Sequence, residues 1–519
     1  MTATFPSLQN LSLSSVVSLL KPLGYKPLLR HFAYCNTSTA SSVYNYILRA
    51  APFLVDIAHM CQYYKSATLT DVFFPILIKK GLLQISSDNV DNIIKRFGEE
   101  QEFLNISSLT HLKVTYIDVG SSLHILYFLR RLSNLTFLDA GCSVDDDMLA
   151  VLGINCPHLE VLDVREGIVN SVTNTGLSYL SFCKKLRRVL FSMFPDQYSC
   201  RLDKISFSGD GVAFLLLALP KLEQFMCSEY LLRDALNYMC KIICQERTLS
   251  VKCLFLDHPE VAVDRLFANI LPLLCPEIEV LTLCVTPGKE GIVGQCVTSL
   301  TKLKILVLSI AAEYSCIKYE FSAYGFRLVY LQIVAQLIGS KDILLLSKLC
   351  PNLKTLGLKM ASFGFESLID YNSGVSLFPS VERLELQQNI SVRLFKLLNI
   401  CMKNLKELYC AGAMIRDLEK AIHVIVDRGG WKKTAILVLP VLEEVSLTMA
   451  KRLANILPNI ECLSLSLSQI EEDEMKLYLM QSKQTVSLIH QDLISPPSNS
   501  GVFASSLWTD ELKKNKKVS

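Results

Sequence analysis

This chain lacks the sequence features that mark membrane proteins and most enzymes. Half of its 519 residues are hydrophobic, yet no apolar run approaches the roughly 18 residues that a membrane-spanning helix needs. The eight histidines are scattered, no serine or cysteine beside one forms a recognisable nucleophile motif, and no glycine-rich phosphate loop is present. These absences predict a non-catalytic protein with no cofactor and no membrane contact.

Disulfide and metal signatures are missing as well. The 18 cysteines are too sparse for a disulfide scaffold, and no two of them form a Cys-x-x-Cys pair. We therefore expect reduced, buried thiols and no metal site.

An excess of charge of one sign is absent too. Lysine and arginine number 52 against 49 aspartates and glutamates, a net charge of +3, which predicts no nucleic-acid partner. The apolar stretch 11–20 has no basic residue ahead of it, unlike a signal peptide, so we expect a cytoplasmic and/or nuclear protein. Residues 486–519 combine proline and serine with lysines and are predicted to form a disordered basic tail.

What the chain does have is a repeated phrase in which leucine-like residues stand at the first, fourth and sixth positions. Clear copies lie at residues 156–164, 275–283 and 350–358, each introduced by Cys-Pro. Self-similarity at a period of about 25 residues indicates one short strand and one return helix per repeat. The sequence thus predicts an α/β fold, a leucine-rich-repeat solenoid over residues 101–485, shaped as a horseshoe with a parallel sheet on its concave face.

The first apolar residue of each copy serves as the anchor of that repeat. The predicted anchors are Leu109, Leu135, Leu159, Leu186, Leu222, Val251, Ile278, Leu303, Leu328, Leu353, Val381, Leu405, Leu442 and Ile460. Most neighbouring anchors are 24 to 29 residues apart. Two longer intervals predict inserted loops at 196–210 and 427–433, and the short last interval means a truncated return element or a misplaced anchor.

The repeat ending at Leu186 carries a more specific likeness. Residues 172–186 place a polar turn with Gly176 before an amphipathic helix that ends at Cys183, just ahead of the next strand. This pattern resembles the cysteine-containing subtype of leucine-rich repeats. The subtype is frequent in intracellular substrate receptors of ubiquitin ligases, so the resemblance implies a protein-interaction function.

Residues 1–100 do not follow the repeat and are predicted to form an N-terminal helical module, with candidate helices at 8–20, 43–64, 70–83 and 89–97. Ser7, Leu8, Ser12 and Val16 in this module resemble the elongin-binding box of cullin-RING substrate receptors. In that box a small residue and leucine are followed by cysteine and then an aliphatic residue at four-residue spacing, and Ser12 stands in place of the cysteine. The resemblance implies elongin C, elongin B and a cullin as partners, with residues 73–83 as a second, cullin-contacting segment.

Two other functions remain open for this module. An F-box also precedes such repeats and binds a Skp-type adaptor, but it usually ends near a tryptophan, and the tryptophans of this chain are Trp431 and Trp508. The other alternative is that the helices only cap the solenoid, because an uncapped end exposes apolar surface. The protein would then be a stand-alone scaffold or adaptor without ligase association.

The concave face offers a candidate surface for an unidentified protein substrate. Side chains two and four positions after each anchor are expected to point to this face, because side chains alternate across a strand. In the middle repeats these positions form an apolar stripe made of Phe255, Val280, Ile305, Val307 and Tyr330. Charged positions such as Arg383, Glu385 and Glu407 follow it, a pattern typical of an interface core with a polar rim. The alternative is that a loop at 311–324 covers the stripe.

Overall fold

The chain divides into two compact units, Met1–Phe207 and Ser208–Ser519. The computed structural model describes residues 82–86, 109–115, 122–141, 144–164, 172–191, 206–242, 248–256, 263–310, 321–335, 338, 340–360, 376–410, 413–440, 445–465, 467, 469–481 and 487–488.

Parallel strands that pair in chain order build the first unit. They are β1 Leu82–Ser86, β2 His111–Thr115, β3 Phe137–Gly141, β4 Val161–Val164 and β5 Arg188–Phe191. The helices that return the chain between strands are α1 Ser122–Leu129, α2 Asp146–Asn155 and α3 Asn174–Leu180.

The second unit repeats the same arrangement over more strands. Its parallel strands are β6 Gln224–Met226, β7 Cys253–Leu256, β8 Val280–Val285, β9 Ile305–Ile310, β10 Tyr330–Ala335, β11 Thr355–Met360, β12 Arg383–Asn389, β13 Glu407–Tyr409, β14 Ala413–Met414, β15 Ile436–Val438, β16 Cys462–Ser464 and β17 Ser487–Leu488. Its helices are α4 Gly209–Ala218, α5 Glu229–Ile242, α6 Arg265–Leu274, α7 Glu290–Ser299, α8 Phe321–Tyr324, α9 Ser340–Leu349, α10 Val392–Cys401, α11 Leu418–Asp427, α12 Leu447–Ile456 and α13 Gln469–Gln481, with a 3₁₀ turn at Gly325–Arg327.

The register of these strands places equivalent leucines of successive repeats side by side. Leu281 lies opposite Leu306, which lies opposite Leu331, and that residue lies opposite Leu356. All four are fully buried. Burial of such a row against neighbouring repeats is the main stabilising contribution in a solenoid, because no single repeat buries its own apolar face. The predicted α/β leucine-rich-repeat fold is therefore confirmed.

The predicted anchors mark this register correctly with one exception. Each anchor whose side chain the structure describes is buried, from Leu109 to Ile460. Leu442 is wrong, since β15 begins two positions after Thr434, and Thr434 is itself fully buried with its hydroxyl donating to the Leu405 carbonyl at 3.1 Å. A buried threonine satisfied by a carbonyl replaces the leucine, which is why an apolar pattern missed it.

This correction also removes the inserted loop predicted at 427–433. Helix α11 ends at Asp427, and the following turn leads directly into the strand. Trp431 closes the turn by donating from Nε1 to Asn399 Oδ1 at 2.6 Å, and its ring packs edge-on against Phe395. With Thr434 as anchor, the last intervals have ordinary length. Of the other predicted loop, at 196–210, residues 196–205 lie outside the described residues and Gly209 begins α4.

Asparagines just before several anchors fasten one repeat to the preceding one. The side-chain amide of Asn352 donates to the Phe326 carbonyl at 2.7 Å, and Asn404 bonds the Pro379 carbonyl in the same way at 2.7 Å. Each amide gives a hydrogen bond to a backbone carbonyl in the turn between helix and strand of the preceding repeat. An asparagine directly before the anchor is therefore a structural feature of these repeats.

Glycines in α2 and α3 permit these two helices to pack closely. A side chain at Gly153 would collide with the Tyr179 carbonyl, and one at Gly176 would collide with the Asp146 carboxylate. That carboxylate accepts from the Thr173 amide at 2.7 Å and from its hydroxyl at 2.5 Å, at the beginning of α3. The polar turn with glycine seen in the sequence is thus a helix-to-helix contact between repeats.

In each unit, the paired strands reach beyond the predicted solenoid boundary. Strand β1 occupies Leu82–Ser86, so the helix predicted at 70–83 is wrong at its end, where the residues pair with β2 instead. At the other end, β17 reaches Leu488. The remaining candidate helices of residues 1–100 and most of the predicted tail lie outside the described residues.

Candidate binding surfaces

The proposed adaptor-binding residues Ser7, Leu8, Ser12 and Val16 lie outside the described residues, as does most of the segment 73–83. They remain predictions from sequence. The surfaces that the structure describes belong to the repeats.

The apolar stripe is brought together on the sheet face opposite the return helices, called here the concave face. Val280 of β8 lies opposite Ile305 of β9, and Ile305 lies opposite Tyr330 of β10. Two residues further along the strands, Phe255 and Val307 each lie opposite Thr282. The register therefore aligns the predicted residues in two adjoining rows.

All five stripe side chains are buried. Ile305 is 8% exposed, Tyr330 3%, Phe255 2%, and Val280 and Val307 are fully enclosed. A partner can contact these atoms only after displacing whatever encloses them. Residues 311–320 of the loop named as an alternative cover lie outside the described residues. Phe321 and Tyr324 are the two buried residues of the short helix that follows.

A third row of outward residues, at the carboxyl ends of the strands, is only half-buried. Val334 of β10 lies opposite Ser309 on one side and Lys359 on the other, and Lys359 lies opposite Gln387. Sequence reasoning missed this row because it counted two outward positions per strand. Strands of six and seven residues, as in β10 and β12, have a third.

A polar cluster interrupts the concave face just beyond the stripe. It is called the Arg383 cluster and consists of Tyr330, Gln332, Arg383, Glu385, Glu407 and Tyr409. Arg383 Nε donates to Glu385 Oε1 at 2.7 Å, and its NH1 lies 3.5 Å from Glu407 Oε2. The guanidinium carbon is 4.4 Å from the centre of the Tyr409 ring, and the Tyr330 hydroxyl donates to Gln332 Oε1 at 3.0 Å. Arginine is thus held between two carboxylates and an aromatic face.

Gly357 explains how the cluster fits together across β11. This residue lies between Gln332 and Glu385 in the same row, and a Cβ there would be 3.0 Å from Gln332 Cγ. Without a side chain in between, the negative charge of Glu385 acts on the Tyr330 hydroxyl and contributes to its raised pKa.

Burial and neighbouring charges set the protonation of this cluster. Burial raises the pKa of the Glu385 carboxyl, and the charge of Arg383 only partly opposes this effect. Burial and then the charge of Glu407 raise the pKa of Tyr409 to about 12, and burial and then the charge of Glu385 raise the pKa of Tyr330 well above its ordinary value. Burial lowers the pKa of Arg383, but the carboxylates more than offset this, so the net direction is upward. Both tyrosines are therefore neutral and Arg383 is charged at physiological pH.

Several buried polar atoms on the concave face have no hydrogen-bond partner among the described residues. They are Gln224 Nε2, Thr282 Oγ1, Glu385 Oε2 and Ser464 Oγ. All four belong to outward-facing strand positions of the second unit. A buried acceptor or donor left unpaired costs about 1–3 kcal/mol. A bound group that forms hydrogen bonds with these atoms would recover part of that cost.

Within the described ranges, no group of three or more His, Cys, Asp or Glu side chains is placed to hold a metal ion. Nor does any helix there combine the length and apolar composition that crossing a membrane requires. Cys156, Cys183, Cys275 and Cys350 precede strands in their repeats and are buried and free of disulfide bonds, as expected for reduced thiols.

No protein-family model matches the chain, and no curated protein is significantly similar to it. Solved structures do match at low identity. A chain of the complex of TLR13 with ssRNA13 is 15% identical with a TM-score of 0.34, the match covering 74% of this protein and 58% of that chain. The present chain therefore spans little more than half the length of that structure.

Two further structures match in the same range. The complex of Rad7 and Elc1 in yeast gives 14% identity and a TM-score of 0.35, covering 80% of this protein and 96% of that chain. The mouse RP105/MD-1 complex gives 12% identity and a TM-score of 0.31, covering 78% and 89%. Similarity at this level concerns the fold alone, so functional inference rests on the residues of this chain.

Proposed function

We propose that this protein is a non-catalytic substrate-recognition subunit of a cullin-RING ubiquitin ligase. The observation that carries the proposal is the sequence Ser7-Leu8, Ser12, Val16 ahead of a leucine-rich-repeat solenoid. At four-residue spacing, Leu8, Ser12 and Val16 share one face of a helix, as insertion into a groove of elongin C requires. The N-terminal residues then recruit elongin C, elongin B and a cullin.

The solenoid is proposed to hold a protein substrate in the cytoplasm and/or nucleus. Its repeats present a long sheet face and a long helical face rather than a single cleft. On the concave face, Phe255, Val280, Ile305, Val307 and Tyr330 form a buried apolar floor. The Arg383 cluster and the half-buried row ending at Gln387 supply its partly exposed polar groups. We expect a substrate to contact those polar groups first.

The adaptor contact is tested by changing Leu8 to alanine in the full chain. Truncating a leucine in a well-packed site removes about 2–5 kcal/mol, so elongin B and C should no longer co-purify. Leu13→Ala is the matched control, because Leu13 lies off the face formed by Leu8, Ser12 and Val16 and its truncation should leave recovery unchanged. Both variants are checked by circular dichroism for an intact solenoid.

The same contact can also be strengthened. Ser12→Cys restores the residue of the elongin box and adds apolar surface, so it should raise the affinity for purified elongin B and C, measured by calorimetry. Absence of elongins from the wild-type complex would contradict the proposal. Recovery of a Skp-type adaptor in their place would make the protein an F-box-type receptor, and recovery of neither would leave a stand-alone scaffold.

A further inference from the structure

The Arg383 cluster contains more negatively charged than positively charged side chains. Arg383 is the one cation of the six-residue cluster, and Glu385 and Glu407 are its two carboxylates. The guanidinium is committed to Glu385 at 2.7 Å, whereas its contact with Glu407 is long, at 3.5 Å. One carboxylate is therefore only loosely neutralised.

The cluster contains one unsatisfied acceptor and one accessible carboxylate. Glu385 is 3% exposed and its Oε2 has no hydrogen-bond partner among the described residues. The Glu407 side chain is 36% exposed and that of Arg383 28%, so the accessible side of the cluster is at β12 and β13. A hydrogen-bond donor that approaches from this side meets Glu407 of β13 first. The unpaired oxygen of Glu385 lies on the neighbouring strand, β12.

We propose that the Arg383 cluster is a recognition site for the basic side chain of a protein partner, an arginine or lysine held by Glu407 and Glu385. Surplus negative charge selects a cationic donor over a neutral one, and charge-assisted hydrogen bonds are about twice as strong as neutral bonds. A metal ion does not suit the site, because Arg383 already lies between the carboxylates. This inference deepens the proposed function by naming the chemistry of the substrate that the solenoid holds.

The test uses the full chain and small probes that carry one side chain each. Nα-acetyl-arginine N-methylamide and Nα-acetyl-lysine N-methylamide are compared with the citrulline derivative, which has nearly the shape of arginine without its charge. Saturation-transfer NMR should detect both cationic probes and give little transfer to citrulline. Binding should weaken about tenfold in Glu407→Gln, as expected when one charge-assisted hydrogen bond becomes neutral.

Matched variants separate recognition from folding. Glu382→Gln is the control, because Glu382 stands immediately before β12 and pairs with Lys406 at 2.9 Å and Lys354 at 3.7 Å. It should bind the arginine probe like the wild type. Glu385→Gln should also weaken binding, and if this buried change prevents folding, the accessible Glu407→Gln still decides.

Equal transfer to arginine and citrulline would overturn the proposal, as would unchanged arginine binding in Glu407→Gln. The elongin experiment does not involve this site. Loss of the recognition site with elongin binding intact would therefore refute only this inference, and the reverse result would refute only the ligase assignment.

Discussion

Strand β4 in the first unit and strand β8 in the second come from the same repeat phrase, yet their burial differs. In β4, Leu162 and Val164 are buried while Val161 and Asp163 are half-buried, a simple alternation. In β8, all six residues from Val280 to Val285 are buried. The repeat thus determines which side chains face the helices, but it does not determine whether the opposite face is open.

Charge on the outward positions accounts for part of this difference. Asp163 of β4 needs water or a partner, whereas the outward residues of β8, Val280, Thr282 and Cys284, carry no charge and can be enclosed at little electrostatic cost. Where the enclosed part of the sheet meets charged residues, at β12, Glu385 is buried beside the half-buried Arg383.

The largest expected effect comes from breaking that buried pair. Arg383→Ala should lower the free energy of unfolding by about 3–5 kcal/mol, because it leaves the Glu385 carboxylate buried without its cation. Lys359→Ala, a half-buried change on the adjacent strand, should alter stability by less than about 0.5 kcal/mol. Urea unfolding followed by circular dichroism measures both variants. Similar stabilities would show that Glu385 is hydrated and that the buried region ends before β12.

Sequence patterns predicted the anchor positions correctly wherever an apolar side chain fills the space between strand and helix. The anchors from Leu109 to Leu405 have the predicted spacing and are buried, because each must fill the space between strand and helix. The pattern failed at Thr434, where a hydrogen bond to a carbonyl replaces apolar contact. Hydrophobicity alone cannot report such a substitution.

The concave face was less predictable for a different physical reason. Alternation correctly identified Val280, Ile305 and Tyr330 as neighbours, because strand register follows from the repeat. Their enclosure depends on chain segments distant in sequence, and no local periodicity encodes it. Glu385 was expected in a polar rim, but it is 3% exposed and bonded to Arg383. A signal for this was the same-face spacing of Arg383 and Glu385, two residues apart on one strand.

The second prediction exchanges the same residue type in the two regions. Val280→Thr should lower the free energy of unfolding by about 1–3 kcal/mol, because it buries a hydroxyl among apolar neighbours. Val161→Thr should change it by less than about 0.5 kcal/mol, since the half-buried position leaves the hydroxyl access to water. The two variants are compared by urea unfolding at neutral pH. Equal losses would mean that β4 is enclosed as fully as β8.

The smallest expected effect concerns a slot that should behave alike in both regions, the cysteine before the strand. Burial raises the pKa of Cys183 in the first unit and of Cys275 in the second to about 12. In the unfolded chain these thiols ionise near their ordinary value of 9.0. Below that value both states keep the proton and stability is unaffected. Between about 9 and 12 only the unfolded chain releases it, so stability falls as pH rises.

Each thiol should account for about 1.4 kcal/mol of the stability lost between pH 8 and pH 10. Cys183→Ala and Cys275→Ala each remove one such thiol, so each variant should lose correspondingly less stability than the wild type over this range. The measurement is the urea midpoint at both pH values, with Cys240→Ala as the control, because Cys240 is only partly buried. If Cys275→Ala reduced the pH dependence of stability and Cys183→Ala did not, the environment of the cysteine before the strand would differ between the two units, as the outward face does. Equal flattening would show that the helix-facing side of the repeat is the same in both, and that only the concave side distinguishes them.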